Sequence, residues 1–354
     1  MKLGSRPKMR GCGFIRPRVR AFVLLLLGLC SPLLRAESGS GRHECLFVYW
    51  GRILQADPDT LSVKALGYLS AAAPTVTADA NGLLWGRVDP NYLAAWSPLE
   101  QRIVSAVPLR HKVYDHVLAQ NGKAYVSHNA LTSEGFSISV VDTAQKTLER
   151  EIKGVHGLRT DILASGVFVY LATLGVRQED YLHLYLYRID TRDDSLTELH
   201  RYTQPGYCWL AAVSARSLFV CYLATSENGP QDMIEVMDLS SLEVVRRIDD
   251  RFWGPGRRLV HLFQAPGRAL LLCRDDTGTG VLIETDPELT TVRRAFKLDG
   301  PAHRILATEG SLVLYFDSPL GASPQGVTLH FYDTGAGREV NEVDLSQLVE
   351  ARRE

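Results

Sequence analysis

Nowhere in its 354 residues does the chain run twenty apolar residues together; the longest stretch that approaches it, Ala21 to Leu34, is broken by Ser31 and Pro32. Crossing a bilayer as a helix takes about twenty, so no transmembrane span is expected in the mature form. Cysteine is scarce, with six in all and none in a C-x-x-C or C-x-x-C-H arrangement, which argues against zinc ribbons, thioredoxin-like chemistry and covalently attached c-type haem. Acidic residues are missing from the first 36 positions, although that segment holds eight of the 39 Lys and Arg.

That last absence has a specific meaning. Lys2, Arg6, Lys8, Arg10, Arg16, Arg18 and Arg20 precede the apolar run Ala21 to Leu29, and Leu34-Arg35-Ala36 offers a small-residue cleavage site. The pattern is that of a secretory leader, with cleavage expected after Ala36. Residues 1–36 thus read as a signal peptide, 37–44 as a short linker, 45–345 as the folded domain and 346–354 as a tail. Leu27-Gly28-Leu29-Cys30 also resembles a bacterial lipobox, with Leu29 where a small residue is usual, so a lipid anchor at Cys30 is the alternative. Either route makes the protein an exported one, of the periplasm, the cell envelope or the exterior. Without the leader 31 basic residues face 40 acidic ones, a net charge near −9. A body so acidic is repelled by phosphate backbones and anionic lipid, which argues against nucleic acid as a partner. Of the four cysteines that remain, Cys208 and Cys221 could face each other across a hairpin in an oxidising compartment. The simpler expectation is that they, Cys45 and Cys273 are small buried apolar side chains.

What is there is a repeat. KAYVSHN (123–129), VFVYLAT (167–173), LFVCYLA (218–224), ALLLCRD (269–275) and LVLYFDS (312–318) read as equivalent buried strands. Each is followed by a loop and by a second strand that ends in an acidic turn, at Asp142, Asp190, Asp238, Asp286 and Asp333, spaced 48, 48, 48 and 47 residues apart. Two more degenerate copies end at Asp57 and at Ser97, which makes seven. A strand before and one after each pair gives four short antiparallel strands per unit, and units of that size are propeller blades. The expected fold is all-β: a seven-bladed β-propeller of four-stranded antiparallel blades. The first copy is expected to lack its innermost strand, the chain entering the ring near Cys45.

The copy AYVSHN…FSISVVDTAQKTLEREI resembles the YVTN repeat of the quinoprotein amine dehydrogenase-like propellers, a short apolar strand, a loop and a hydrophobic strand ending Asp-Thr. The resemblance extends over essentially all of residues 43–345 and implies architecture far more than activity. WD40 signatures, kelch glycine pairs and the docking pattern of eight-bladed quinone enzymes do not appear.

The repeated aspartates look like a row of carboxylates, but Asp opening a tight turn accepts hydrogen bonds from backbone amides two residues on, so a structural role is expected and no catalytic one. The two faces of the ring differ. On one, the connections are tight (QNG, SG, SARS, APGR); on the other they are long (NALTSEG, TLGVRQEDY, TSENGPQD, SPLGASPQG), and long loops carry binding function. The same face receives the segments leading into each innermost strand, RHKVYDH, VHGLRTD, QPGYCW, GPGRRL and GPAHR. These bring Tyr114, His116, Arg159, Asp161, Tyr207, Trp209, Arg257, Arg258, His303 and Arg304 toward the mouth of the central channel. Propeller channels are hydrated and polar in any case, and Arg-Asp pairs that satisfy each other are the competing reading.

No nucleophile with a base is apparent, and no metal or cofactor is expected. Asp161 and Asp115 are too few oxygen ligands for a hard cation, and an isolated His116 or His303 is better read as a hydrogen-bonded structural residue than as a haem ligand. The expectation is a non-catalytic binding or scaffold propeller that takes a protein or a small anionic ligand on its long-loop face. The alternative is an enzyme of the lactonase or quinoprotein-dehydrogenase type, which rests on the resemblance alone.

Overall fold

In the computed structural model, described for residues 35–37, 43–69, 76–128, 136–175, 183–202, 206–214, 216–226, 229–319 and 326–350, the chain forms seven four-stranded antiparallel sheets arranged around one axis. All seven sheets use consecutive strands running from the axis outward, and successive innermost strands lie side by side. The seven-bladed propeller read from the repeat is the fold observed.

The core is divided seven ways, one apolar cluster at each junction between blades. Blade 1 shows how a strand serves two of them. Cys45, Phe47 and Tyr49 pack toward blade 7, while Leu46 and Val48 pack toward blade 2. In blade 6, Ala269, Leu271 and Cys273 face blade 5 and Leu270 and Leu272 face blade 7. Successive side chains point to opposite faces of a strand, and here both faces meet a neighbour. The second and third strands are therefore apolar throughout, whereas outermost strands such as Arg338–Asp344 are largely exposed. Cys45, Cys221 and Cys273 are small buried residues of these clusters. Along the backbone Cys208 is the register partner of Tyr222 and Cys221 that of Trp209, so the two cysteines are not directly opposite each other in the hairpin.

The repeated aspartates sit in equivalent turns between third and fourth strands. Asp57 Oδ1 accepts from the Asp59 amide at 2.9 Å, Asp190 from Arg192 at 3.0 Å, Asp238 from Ser240 at 2.8 Å, Asp286 from Glu288 at 3.0 Å and Asp333 from Gly335 at 2.8 Å. Asp142 reaches Gln145 at 2.8 Å, and Ser97, where the aspartate is replaced, reaches Glu100 at 3.2 Å. The threonine that follows has its own task. Thr143, Thr191 and Thr334 donate from Oγ1 to Gly122, Val167 and Ser311 carbonyls, tying this turn to the neighbouring hairpin. The Asp-Thr signature is a device of the fold.

Blade 1 differs from the expectation. Arg35–Glu37 pairs with His43–Glu44-Cys45 and supplies its innermost strand, so the expected cleavage point between Ala36 and Glu37 falls inside a strand. Among the described residues no strand is exchanged between the chain ends. The ring closes through side chains, with Phe47 meeting Phe316 edge to face at 5.3 Å between centroids and Phe331, Leu329 and Leu345 packed on Leu54 and Ala56. Asn341 Nδ2 donates to the Leu61 carbonyl at 2.6 Å across the seam. Beyond residue 345 the chain turns into a short helix, Ser346–Glu350, whose Leu348 joins the same cluster.

Candidate functional site

The long connections singled out in the sequence fall largely outside the described residues, at 129–135, 176–182 and 320–325. The third is shorter than expected, because Ser217–Ser226 and Gly229–Asp238 extend as one long hairpin with Ser226 opposite Gly229.

Each innermost strand from blade 3 to blade 7 carries a β-bulge close to its start, on the face of the ring where these connections lie. The extra residue is Tyr114, Thr160, Ala211, Val260 and Leu306 in turn. Bulges re-aim side chains, but these do not all fall at one level, those of blades 5 and 7 lying nearer the inner turn than those of blades 3, 4 and 6. Counted from the turn aspartates, Arg304, opposite Phe316, is level with His261, opposite Leu272, and with Asp115 and Asp161, whereas Arg258, opposite Arg274, lies nearer the mouth. Arg159, opposite Thr173, is level with Leu259 and shares the position of neither Arg258 nor Arg304. The side chains of Arg159, Tyr207 and Trp209 lie outside the described residues.

Other expected members of the mouth have local work. His116 is buried, its Nε2 at 2.9 Å from both Thr77 Oγ1 and the Trp85 carbonyl, which joins blade 3 to blade 2. Asp161 and Asp115 are buried, each accepting from the amide of the next residue. Tyr114 is half-buried. Arg257 caps the single-turn helix Asp250–Trp253, donating from Nη1 to the Trp253 carbonyl at 2.8 Å. Its guanidinium lies over Gly254, which has φ 107° and whose Cβ, were there one, would be 2.9 Å from Arg257 Nη1.

What remains converges on the junction of blades 6 and 7. Arg258 is clamped by Asp232 of blade 5, Nε to Oδ2 at 2.7 Å and Nη2 to Oδ1 at 3.1 Å, and the buried carboxylate also accepts from the Leu259 amide at 2.8 Å. Across the hairpin Arg258 is the register partner of Arg274, two cations where like charges repel. Arg274 Nε donates to the Ala302 carbonyl at 2.9 Å, which brings its guanidinium beside the His303-Arg304 segment. His303 is held by its own amide, which donates to the Phe316 carbonyl at 2.7 Å. Burial, then the charges of Arg274 and Arg304, push the His303 imidazole down to about 4, with Asp317 acting weakly the other way. Burial, then Arg304 and His303, hold His261 well below the usual histidine range. Its Nδ1 is buried with no hydrogen-bond partner among the described residues. Arg274 is lowered from its usual value by burial alone.

Two histidines thus stay neutral chiefly because they are buried, and the cations around them add to the effect. Sequence reasoning found Arg258, His303 and Arg304 and missed Arg274, His261 and Asp232. Arg274 was in view as the first polar residue after the buried strand ALLLC, the end that meets the mouth. Arg87 in blade 2 reaches across to blade 3 in the same way, its Nη1 donating to the Val113 carbonyl at 2.8 Å, so part of the work of Arg274 is to pin one blade to the next.

No protein-family model matches the chain, and no curated protein does. Solved structures do. The periplasmic gluconolactonase PpgL of Pseudomonas aeruginosa is 17% identical over 85% of this chain and 96% of its own, with a TM-score of 0.55. The dihydro-heme d1 dehydrogenase NirN, in complex with DHE, is 11% identical over 89% of this chain and 67% of its own, with a TM-score of 0.54. The computationally designed Ika8 protein reaches the same TM-score of 0.54 at 12% identity, over 89% of this chain and 90% of its own. The likeness is one of fold. A designed protein matches as well as two enzymes do, so the similarity carries no activity with it. It places the chain among β-propellers, and the YVTN repeat stays a resemblance of the repeating unit.

Proposed function

We propose that this chain is a non-catalytic binding propeller of the cell envelope, exported behind its basic leader, and that it holds a small anionic ligand, or an anionic group of a protein, at the blade 6–7 side of its channel mouth. One observation carries the reading. Arg258, His303 and Arg304 lie where two adjacent innermost strands begin, with Arg274 opposite Arg258 on the second strand, and the charges of Arg274 and Arg304 add to burial in holding His303 below its usual value. Asp232 neutralises Arg258 alone, and guanidinium groups meet carboxylate, sulfate or phosphate with charge-assisted hydrogen bonds. Arg258 is presented rigidly because Asp232 holds it from one side.

Calorimetric titration with sulfate, a dianion that does not itself titrate near neutrality, tests the reading. Each charge-assisted hydrogen bond is worth about 1.5–3 kcal/mol, so Arg304→Ala is expected to weaken sulfate binding about tenfold or more. The Arg258→Ala, Arg304→Ala pair is expected to weaken it about a hundredfold or more at retained melting temperature. Equal affinity in wild type and both variants would make the mouth a hydrated channel and nothing more.

A further inference from the structure

A second cluster of opposite character lies on the outer part of blade 7. His330 in the third strand (Thr328–Asp333) is opposite Glu342 in the fourth (Arg338–Asp344), and a bulge at Val340 sets Glu339 opposite Tyr332. Glu339 and Glu342, three residues apart, consequently share the face that His330 occupies. His330 Nδ1 is 2.7 Å from Glu339 Oε2 and 3.9 Å from Glu342 Oε2, and the three donor atoms lie within 4.8 Å of one another. On the other side of the ring, Nε2 is buried, lacks a hydrogen-bond partner among the described residues and faces Asp317 Oδ2 at 4.0 Å. Asp317 is itself fixed by the Thr328 amide at 2.9 Å. The imidazole is stacked on Tyr315, with centroids 4.8 Å apart and planes 10° apart, so its edge is aimed. Asp299 adds a further negative charge beside Tyr315, and among the described residues no Lys or Arg bridges Asp317, Glu339 or Glu342.

We propose that His330, Glu339 and Glu342 form a binding site for a divalent transition-metal ion of the zinc class. One imidazole nitrogen and two carboxylates are a donor set that such ions accept, and a structure with three protein ligands leaves a position for water. The second nitrogen of a ligating histidine characteristically donates to a carboxylate that fixes the tautomer, and Asp317 stands where that carboxylate belongs. Glu342, two-thirds exposed at 66%, can close on the ion from its present distance. Calcium, which wants six to eight oxygens, finds too few. The site is separate from the anion site at the mouth, and either can fail without the other.

The test uses the untagged chain stripped with a chelator and titrated with zinc alone against a chromogenic competitor. One equivalent of zinc is expected to bind, with a rise in melting temperature. Glu342→Gln, an exposed change that leaves the fold intact, is expected to weaken binding at least tenfold and to abolish the thermal shift. Asp317→Asn, which changes only the orienting group, is expected to weaken binding about 10- to 100-fold. Absence of a bound equivalent would overturn the proposal. So would equal affinity in wild type, Glu342→Gln and Asp317→Asn, which would leave His330 as an ion-pair partner of its neighbours.

Discussion

Lowering the pH from 7 to 4.5 will destabilise this protein by several kcal/mol, chiefly through buried histidines that must take up protons on unfolding. His128 is depressed to about 4, chiefly by burial, its ring set between the Lys112 carbonyl and Ser139 Oγ. His303 is depressed to about 4, and His261 lies well below 6.5. Each of these groups binds a proton in the unfolded chain below its ordinary value of 6.5 and refuses one in the folded chain until its lowered value is reached, so stability falls as pH falls through that window. A shift of this size is worth up to about 3 kcal/mol for His128 and for His303, and His261 acts in the same direction. Two other groups bound the window. Asp190 and Asp238, lowered to about 2 by hydrogen bonds in their turns, give up their contribution only below the ordinary carboxylate value. His330, raised by Asp317 and Glu339 against its burial, has the opposite sign and contributes most when protonated. Urea unfolding at intervals between pH 7 and 4.5 measures the slope. His128→Gln should flatten it; a wild-type stability independent of pH across this range would contradict the burial of these imidazoles.

Asp194→Ala will cost about 3–5 kcal/mol, among the largest effects of any single polar substitution, because it strips a buried carboxylate from several donors at once. The Asp194 side chain is 3% exposed. It accepts from Tyr125 Oη at 2.6 Å and Lys123 Nζ at 3.2 Å, and pairs with Arg150 at 3.4 Å, fastening a turn of blade 4 to blade 3. It does so from a left-handed backbone, φ 60°, at the turn position that Leu61, Gln101, Lys146, Leu242 and Gly337 fill elsewhere in the ring. Asn tolerates that conformation and still accepts a hydrogen bond, so Asp194→Asn should lose markedly less than Asp194→Ala. Equal losses by chemical denaturation would mean that neither acceptor nor backbone preference matters there.

The ring was legible in the sequence because its most regular feature, an aspartate every 48 or 47 residues, marks a turn whose hydrogen bonds need that side chain. Alternating burial on two faces likewise made the second and third strands uniformly apolar. The innermost strand of blade 1 was not legible, since three residues, Arg35–Glu37, show no period and adjoin a stretch that reads as leader. Bulges were invisible for a different reason. Thr160, Val260 and Leu306 are inserted without glycine or proline to announce them, and the one at Leu306 lies nearer its inner turn than the other two, which sets Arg304 level with His261 and not with Arg258. The same defect at Val340 hid the convergence of Glu339 and Glu342 on His330. Arg274 and His261 read as the ends of apolar strands, and only the packing of blade 6 on blade 7 sets them beside His303 and Arg304.

The charge coupling inside that cluster gives the most direct test of the anion site. If a dianion settles among Arg258, Arg274 and Arg304, it removes the repulsion that adds to burial in depressing His303 and His261, and their affinity for protons rises. Sulfate titrated at pH 5 by calorimetry in two buffers of different ionisation enthalpy reads that uptake. Binding with net uptake of protons, absent when Arg304 is replaced by Ala, is the expected result; binding with no proton uptake, or no binding at all, would contradict the assignment of the mouth as an anion site.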